Sequence, residues 1–317
     1  MIRYLKNHEI DFDKWNHCIS ASINGLVYAY SWYLDIVCSK WEALVEDDYK
    51  IVFPLTAGKK IGIDYLFQPY FSQQLGVFSP NLLTQEKIEE FFRAIPSNYK
   101  FIEINVNKLN KINTAKFNTS ENLTYELELI NSYENTYKNY SDNTKRNLKK
   151  AIKSKVSIVE NTKPDIIIKL FRENRGKKIS NLKENNYKVL SRLIYKCIYK
   201  GKAKIYGAYS EKNELCAGAF FIESNKKAIF LFSAISEEAR KNGAMFLLID
   251  NYIKENSQKE LILDFEGSND ENLARFYNGF GAEKFYYLNI RLNGLSKFQK
   301  LLVGSIKGIR KMASYCF

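Results

Sequence analysis

The chain has 317 residues, is 45% hydrophobic, carries a formal net charge of +13 and contains only two histidines. That length can bury one large core or two ordinary ones, and two domains is the expectation. With His8 and His17 alone, both near the start, a Ser-His-Asp or Cys-His nucleophile machine and a His-rich zinc site are excluded; no metal is expected, and chemistry must come from carboxylates, tyrosine, lysine, backbone amides or the substrate itself. In chain order, Phe12, Trp15, Cys18 and Ile19 recur at helical spacing and Val27–Val37 is again apolar, which predicts two helical segments over 11–38. Trp41–Val45 and Lys50–Thr56 predict a hairpin turning at Glu46-Asp47-Asp48, with Pro54 marking an edge or a strand end. Tyr65–Ser79 is aromatic, rich in Gln and broken by Pro69. Thr84 is the expected cap of a helix that buries Ile88, Phe91, Phe92 and Ile95 and stops at Pro96. Phe101–Val106 and Thr124–Ile130 predict strands.

Residues 131–155 are polar enough to connect two domains. A helix is predicted from Ser141/Asp142, with Lys145, Lys149 and Lys153 on one stripe, Arg146 and Lys150 beside it, and Leu148 and Ile152 facing the other way. Like charges at this spacing oppose an isolated helix by about a few tenths of a kcal/mol per pair. An anionic partner for Lys145, Arg146 and Lys149 is one reading, and a plain solvated face is the other. Helices over 166–180 and 186–200 and a strand over 203–209 follow.

The most informative stretch is 215–287. Leu215–Glu223 and Lys227–Ala234 predict a hairpin through Ser224-Asn225-Lys226. Met245, Leu248, Ile249, Tyr252 and Ile253 place a helix over Asn242–Glu255, Leu261–Phe265 reads as a short buried strand, and Asp270–Asn278 as a second helix with Ser268, Asn269 or Asp270 as its cap. The two halves of the chain show the same series of elements, except that the first has no counterpart of the last helix and its Gly-Phe turn. The duplication rests on order alone, without a residue-level repeat.

This order, together with Asn272-Leu273-Ala274-Arg275-Phe276-Tyr277-Asn278-Gly279-Phe280-Gly281-Ala282, resembles the second half of a GNAT (GCN5-related) N-acyltransferase domain. The basic helix Ser141–Ala151 resembles the FemAB-like branch, which joins two GNAT-like folds and includes aminoacyl transferases that build peptidoglycan bridges. The resemblance implies an α+β chain with a degenerate GNAT-like domain over 1–135, a GNAT-like acyltransferase domain over 136–294, and a C-terminal helix in a basic amphipathic tail over 295–317. The tail could dock on the body or lie on anionic lipid, giving peripheral membrane contact.

The resemblance also implies a site. Two parallel strands, here 228–234 and 261–265, would splay apart to admit a pantetheine-like donor, with backbone N–H groups of Phe232, Ser233, Ala234 and Ile235 facing its carbonyl. The turn Arg240-Lys241-Asn242-Gly243-Ala244 would cradle a phosphate, although an ordinary strand-to-helix connection reads the same way. Met245 stands where the family usually has Gly or Ala, which counts against tight CoA pyrophosphate binding. Tyr277 would be the general acid, or alternatively a core aromatic. Asn272 would contact the donor amide. Glu266 and Asp264 are the candidate bases, Glu266 equally a helix cap, and an amine losing its proton to water needs neither. Gln68, Tyr70, Gln73 and Gln74 would serve the acceptor in a cleft between the halves. The implied reaction moves an acyl or aminoacyl group from a thioester or ester donor (acetyl-CoA, another acyl-CoA or aminoacyl-tRNA) to an amine acceptor such as a cell-envelope precursor. Plain acetyl-CoA N-acetylation and a non-catalytic binding protein are the alternatives.

Ten of the 48 basic residues are Arg, so the positive excess is mostly Lys, which suits general attraction of tRNA, nucleotide-linked precursors, CoA phosphates or lipid; solubility alone would also account for it. Specific nucleic-acid readout is not expected, with scarce Arg and no recognisable module. Cys18, Cys38, Cys197, Cys216 and Cys316 are scattered without a CxxC and read as free thiols in a reducing compartment. No run is apolar enough to span a bilayer and the start lacks a signal-peptide core, so a cytoplasmic location is expected.

Overall fold

The computed structural model describes residues 1–179, 182–267 and 269–296, and the chain is α+β throughout. Its described residues form two compact units, Met1–Asn122 with 286–296, and Leu123–Phe285. From residue 297 on, the predicted tail lies outside the described residues.

In the first unit, β1 (Ile2–Leu5) precedes α1 (Phe12–Ala21) and α2 (Ser31–Val37), then β2 (Glu42–Glu46), β3 (Ile51–Leu55), β4 (Ala57–Lys60), β5 (Ile63–Phe67), α3 (Gln85–Arg93) and β6 (Tyr99–Asn105). Asp11 caps α1 by accepting from the N–H groups of Asp13 and Lys14, and Trp15, Cys18 and Ile19 form its buried face. Thr84 caps α3 as expected, and Ile88, Phe91 and Phe92 are buried beneath it. β1, β2 and β3 make an antiparallel sheet with β3 outermost, where Pro54 leaves no inner ladder position without a donor.

The chain enters the second unit along β7 (Asn118–Glu128) and continues through α4 (Tyr133–Lys138), α5 (Asp142–Lys153), β8 (Ser157–Glu160), α6 (Pro164–Glu173), α7 (Glu184–Tyr199), β9 (Ala203–Tyr209), β10 (Leu215–Ser224), β11 (Lys227–Ile235), α8 (Glu237–Asn242), α9 (Ala244–Asn256), β12 (Ile262–Asp264), α10 (Glu271–Asn278) and β13 (Glu283–Asn293). The strands run in the order β7-β12-β11-β10-β9-β8, antiparallel except for β11 beside β12. Side chains alternate between the two faces. Phe232 meets Phe171 of α6 at 4.9 Å on one face, and a Cβ on Gly218 would stand 2.7 Å from Ile167 of the same helix. On the other face Phe221 stacks on Tyr252 of α9 at 3.9 Å.

The unit boundary falls earlier than the predicted 135/136. α4 belongs to the second unit because Tyr133 donates to Asp250 of α9 and Tyr140, just after α4, packs edge-on against Phe280. β13 then returns to pair with β6 of the first unit, Ile290 opposite Ile104, so that unit draws on both ends of the chain. Two local expectations are also corrected. The residues read as a turn, Arg240–Asn242, are the end of a separate helix α8. On α5 the buried positions are Thr144, Leu148 and Ala151, while Ile152 is exposed. Cys18, Cys38, Cys197 and Cys216 are free and buried, and burial pushes the Cys18 and Cys38 thiols up to about 11.

Candidate active site

The site arises where β11 outruns β12. Pairing between them covers only Lys227↔Ile262, Ala228↔Leu263 and Ile229↔Asp264, whereas β11 continues on its other edge along β10 to Ile235. Three features produce the divergence. Leu231 is an extra residue on β11, between the pairs Phe221↔Phe230 and Phe220↔Phe232, and such a bulge bends a strand. Glu266 has a left-handed backbone (φ 52°), and its N–H donates to the Asp264 carboxylate at 3.0 Å, which turns the chain away after Asp264. At the paired end, Lys227 Nζ bridges Glu126 of β7 at 2.6 Å and Asp264 at 3.1 Å, and Thr124 donates to Asp264 at 2.7 Å. All four of these side chains are almost wholly buried.

Past Ile229, where pairing with β12 has ended, β11 borders a cavity of about 340 Å³ whose other walls come from α6 and the turn after it, α8, α9 and α10. Phe230, Met245, Phe246, Leu273 and Phe276 give it an apolar lining, while Ser233, Arg175, Arg240 and Tyr277 supply its polar groups. Because the Ser236 N–H donates to the Cys216 carbonyl, antiparallel alternation turns the backbone N–H and C=O of Ser233 and Ile235 away from β10, towards the gap.

Tyr277 reaches the cavity from the last turn of α10, whose N-terminus is capped by Asp270 accepting from Asn272 and Leu273. Its ring is clamped by Phe265, stacked at 4.9 Å, and by Phe230, edge-on at 6.5 Å. Among the described residues its hydroxyl makes no hydrogen bond. Burial pushes this phenol up; Arg175 opposes the rise, and Glu266 and Asp270 reinforce it. The phenol is therefore held in its neutral form, packed between two aromatic rings and without an acceptor among the described residues.

The structure sorts the sequence-predicted residues. Ser233, Ala234, Ile235, Arg240 and Tyr277 line the cavity together. Phe232 does not line the cavity and packs against Phe171, which does. Asn272 is exposed and does not line the cavity. Asp264 is engaged in the buried ion cluster, and Glu266 neither lines the cavity nor caps α10, since Asp270 does. Lys241 is exposed, while Asn242 and Ala244 are buried.

At the predicted phosphate cradle, Gly243 adopts a left-handed conformation (φ 77°) between α8 and α9, and a Cβ there would lie 2.5 Å from the Asn147 carbonyl of α5. Gly243 therefore serves a close approach of the α5 main chain, and the N–H groups of Gly243, Ala244, Phe246 and Leu247 donate within the chain.

On α5, Lys145 donates to the Lys138 carbonyl and Arg146 to Asn143, while Lys149 is exposed. In the first unit, Gln68 donates to the Ser72 carbonyl and accepts from Asn105 N–H, and Gln74 bonds Gln73 and the Lys108 N–H, so these carboxamides serve the fold. The Gln73 Nε2 is buried without a partner, and Tyr70 is half-buried. Sequence reasoning missed Arg175, Phe246, Leu273 and Phe276 as lining residues; Leu273 lies at i−4 from Tyr277, a signal that helical spacing could have supplied.

No protein-family model and no curated protein matches the sequence. Among solved structures the chain is similar to FemX, at 13% identity over 95% of this chain and 99% of that one, with a TM-score of 0.64. It is also similar to a conserved protein of unknown function from Bacteroides thetaiotaomicron VPI-5482, at 10% identity over 88% and 92% of the two chains with a TM-score of 0.55. A third likeness is to the C-terminal domain of a putative lysylphosphatidylglycerol synthetase from Agrobacterium fabrum, at 9% identity over 95% and 98% with a TM-score of 0.50. At these identities the likeness is one of fold. The chain has the FemX fold, the tandem GNAT-like arrangement that its element order and the Asn272–Ala282 motif led to expect.

Proposed function

We propose that the protein transfers an acyl or aminoacyl group from a thioester or ester donor to an amine acceptor. The observation that supports this reading is the cavity beside β11 beyond its last pair with β12, which Tyr277 lines with a hydroxyl that makes no hydrogen bond among the described residues. The donor's acyl chain would lie in the apolar gap, with its carbonyl against the outward N–H of Ser233 or Ile235. Such donors stabilise the oxyanion that forms when the amine nitrogen attacks the carbonyl carbon. As the bond from carbon to sulfur or ester oxygen breaks, Tyr277 gives its proton to the leaving atom, and the proton released by the amine returns to Tyr277 through water. Atoms balance without a metal or an outside base.

The packing of Gly243 against the α5 main chain, with the N–H groups around it engaged, disfavours plain acetyl-CoA transfer by the usual binding mode and leaves aminoacyl-tRNA as the better-supported donor. The acceptor, a cell-envelope precursor or another amine, would meet the donor carbonyl at the cavity mouth. The test is single-turnover transfer, followed by mass spectrometry, from acyl-CoA and from aminoacyl-tRNA to a panel of amines. Transfer that proceeds equally well with a bulky residue filling the gap at Ala234 would overturn the assignment.

A further inference from the structure

The cavity mouth carries two guanidinium groups with no partner among the described residues to neutralise them. Arg175 sits in the short helical turn Arg175–Lys178 after α6, and Arg240 in the last turn of α8. Both side chains line the cavity, both residues are exposed, and neither forms an ion pair or hydrogen bond among the described residues. No carboxylate lines the same cavity. Acids do lie near its rim: Glu266 and Asp270 act on Tyr277, and Glu237 and Glu238 begin α8. None of them pairs with either arginine.

At the start of α9, Gly243 packs against the Asn147 carbonyl of α5, and the N–H groups of Gly243, Ala244, Phe246 and Leu247 are engaged within the chain. A largely apolar cavity bordered by two such guanidiniums suits a ligand with an apolar or acyl part and a phosphate ester. Planar guanidinium forks suit phosphate oxygens, and charge-assisted bonds to them are among the stronger polar contacts.

We infer that Arg175 and Arg240 bind the phosphate of the acyl donor's carrier, in place of the backbone cradle at the start of α9. This rests on the proposed transfer site but concerns only how the donor is held. The shared chemistry, a phosphate ester on the carrier that bears the acyl group, occurs in phosphopantetheine carriers and at the 3′ end of tRNA.

Calorimetry on the full chain separates the cases. The probes are phosphopantetheine and pantetheine in one arm, and a short RNA ending in CCA and adenosine in the other. At least one phosphorylated probe should bind at low salt, with its dephosphorylated parent much weaker. Arg175→Gln and Arg240→Gln should each weaken that probe about tenfold, a typical loss for one charge-assisted contact, and the Lys variants should recover part of it. The parent compounds should bind wild type and variants alike, and unchanged thermal unfolding shows that the exposed substitutions leave the fold intact. The arm that binds identifies the carrier. The inference is overturned if neither phosphorylated probe binds, or if the double Gln variant binds it as wild type does. Charge-dependent binding with no transfer to any amine would keep this inference and remove the transferase reading.

Discussion

Replacing Lys227 by Met tests whether a buried charge holds the closed end of the site together. Lys227 contacts Glu126 at 2.6 Å and Asp264 at 3.1 Å, so the two carboxylates lie within about 6 Å of each other in a region nearly sealed from water. Without the ammonium, their repulsion at an effective dielectric near 20 is about 3 kcal/mol. Stranding buried charges by removing a partner typically costs about 3–5 kcal/mol. Burial pulls the Lys227 ammonium down, yet Asp264 and Glu126 outweigh it and the net shift is upward. The wild-type contribution is therefore complete below the ordinary lysine value and lost only as pH rises through the higher folded value. From pH 5 to 9 it should be flat. Urea unfolding of K227M beside wild type reads the deficit. Adding Glu126→Gln and Asp264→Asn should restore most of the loss, since a carboxamide oxygen at position 264 can still accept from Thr124 and the Glu266 N–H. A deficit under about 1 kcal/mol, or no recovery in the triple variant, refutes the reasoning.

Three further outcomes follow from single positions. Gly243→Ala should destabilise by about 2–4 kcal/mol, combining a left-handed backbone with the clash against Asn147, as measured by the unfolding midpoint. Tyr277→Phe should fold normally and lose about a hundredfold or more in turnover with donor affinity retained, seen by comparing single-turnover rates with calorimetry. Burial pushes the Asp250 carboxyl up despite the Tyr133 hydrogen bond, so its ionisation disfavours the folded state. Asp250→Asn should then raise the melting temperature at pH 7, and the gain should vanish near pH 4 and below, where both states hold the proton.

Elements that bury an apolar stripe were legible. β9, β10, β11 and α3 lie within a residue or two of their predicted bounds because their patterns leave one reading. α8 was not, since Glu237–Asn242 has no apolar periodicity; the Ser236 cap and the left-handed Gly243 define it. β1, β4 and β8 are four-residue strands with mostly exposed or half-exposed side chains, and pairing with neighbours distant in sequence selects them. Tyr277 was singled out from the motif and lines the cavity, whereas Arg175, which also lines it, was hidden within what read as one helix over 166–180. Its place depends on the break between α6 and the turn that follows. At the predicted phosphate turn, Gly243 serves a close approach, but by the main chain of α5.

The residues that make the cavity are thus not the ones that line it. Lys227 draws Glu126 and Asp264 together and closes three paired positions, while Asp264 and the left-handed Glu266 end the pairing at the next. Leu231 bends β11 from the other side, and Phe265 fixes the Tyr277 ring by stacking on it. Changes in this frame should therefore alter stability and donor affinity together, because they move the strands. Changes at Tyr277, Arg175 or Arg240 should act on chemistry or affinity at constant stability, because the polar ends of these groups have no partners among the described residues. A frame variant that lost stability yet bound donor with unchanged affinity would show that the opening is set by the lining side chains instead.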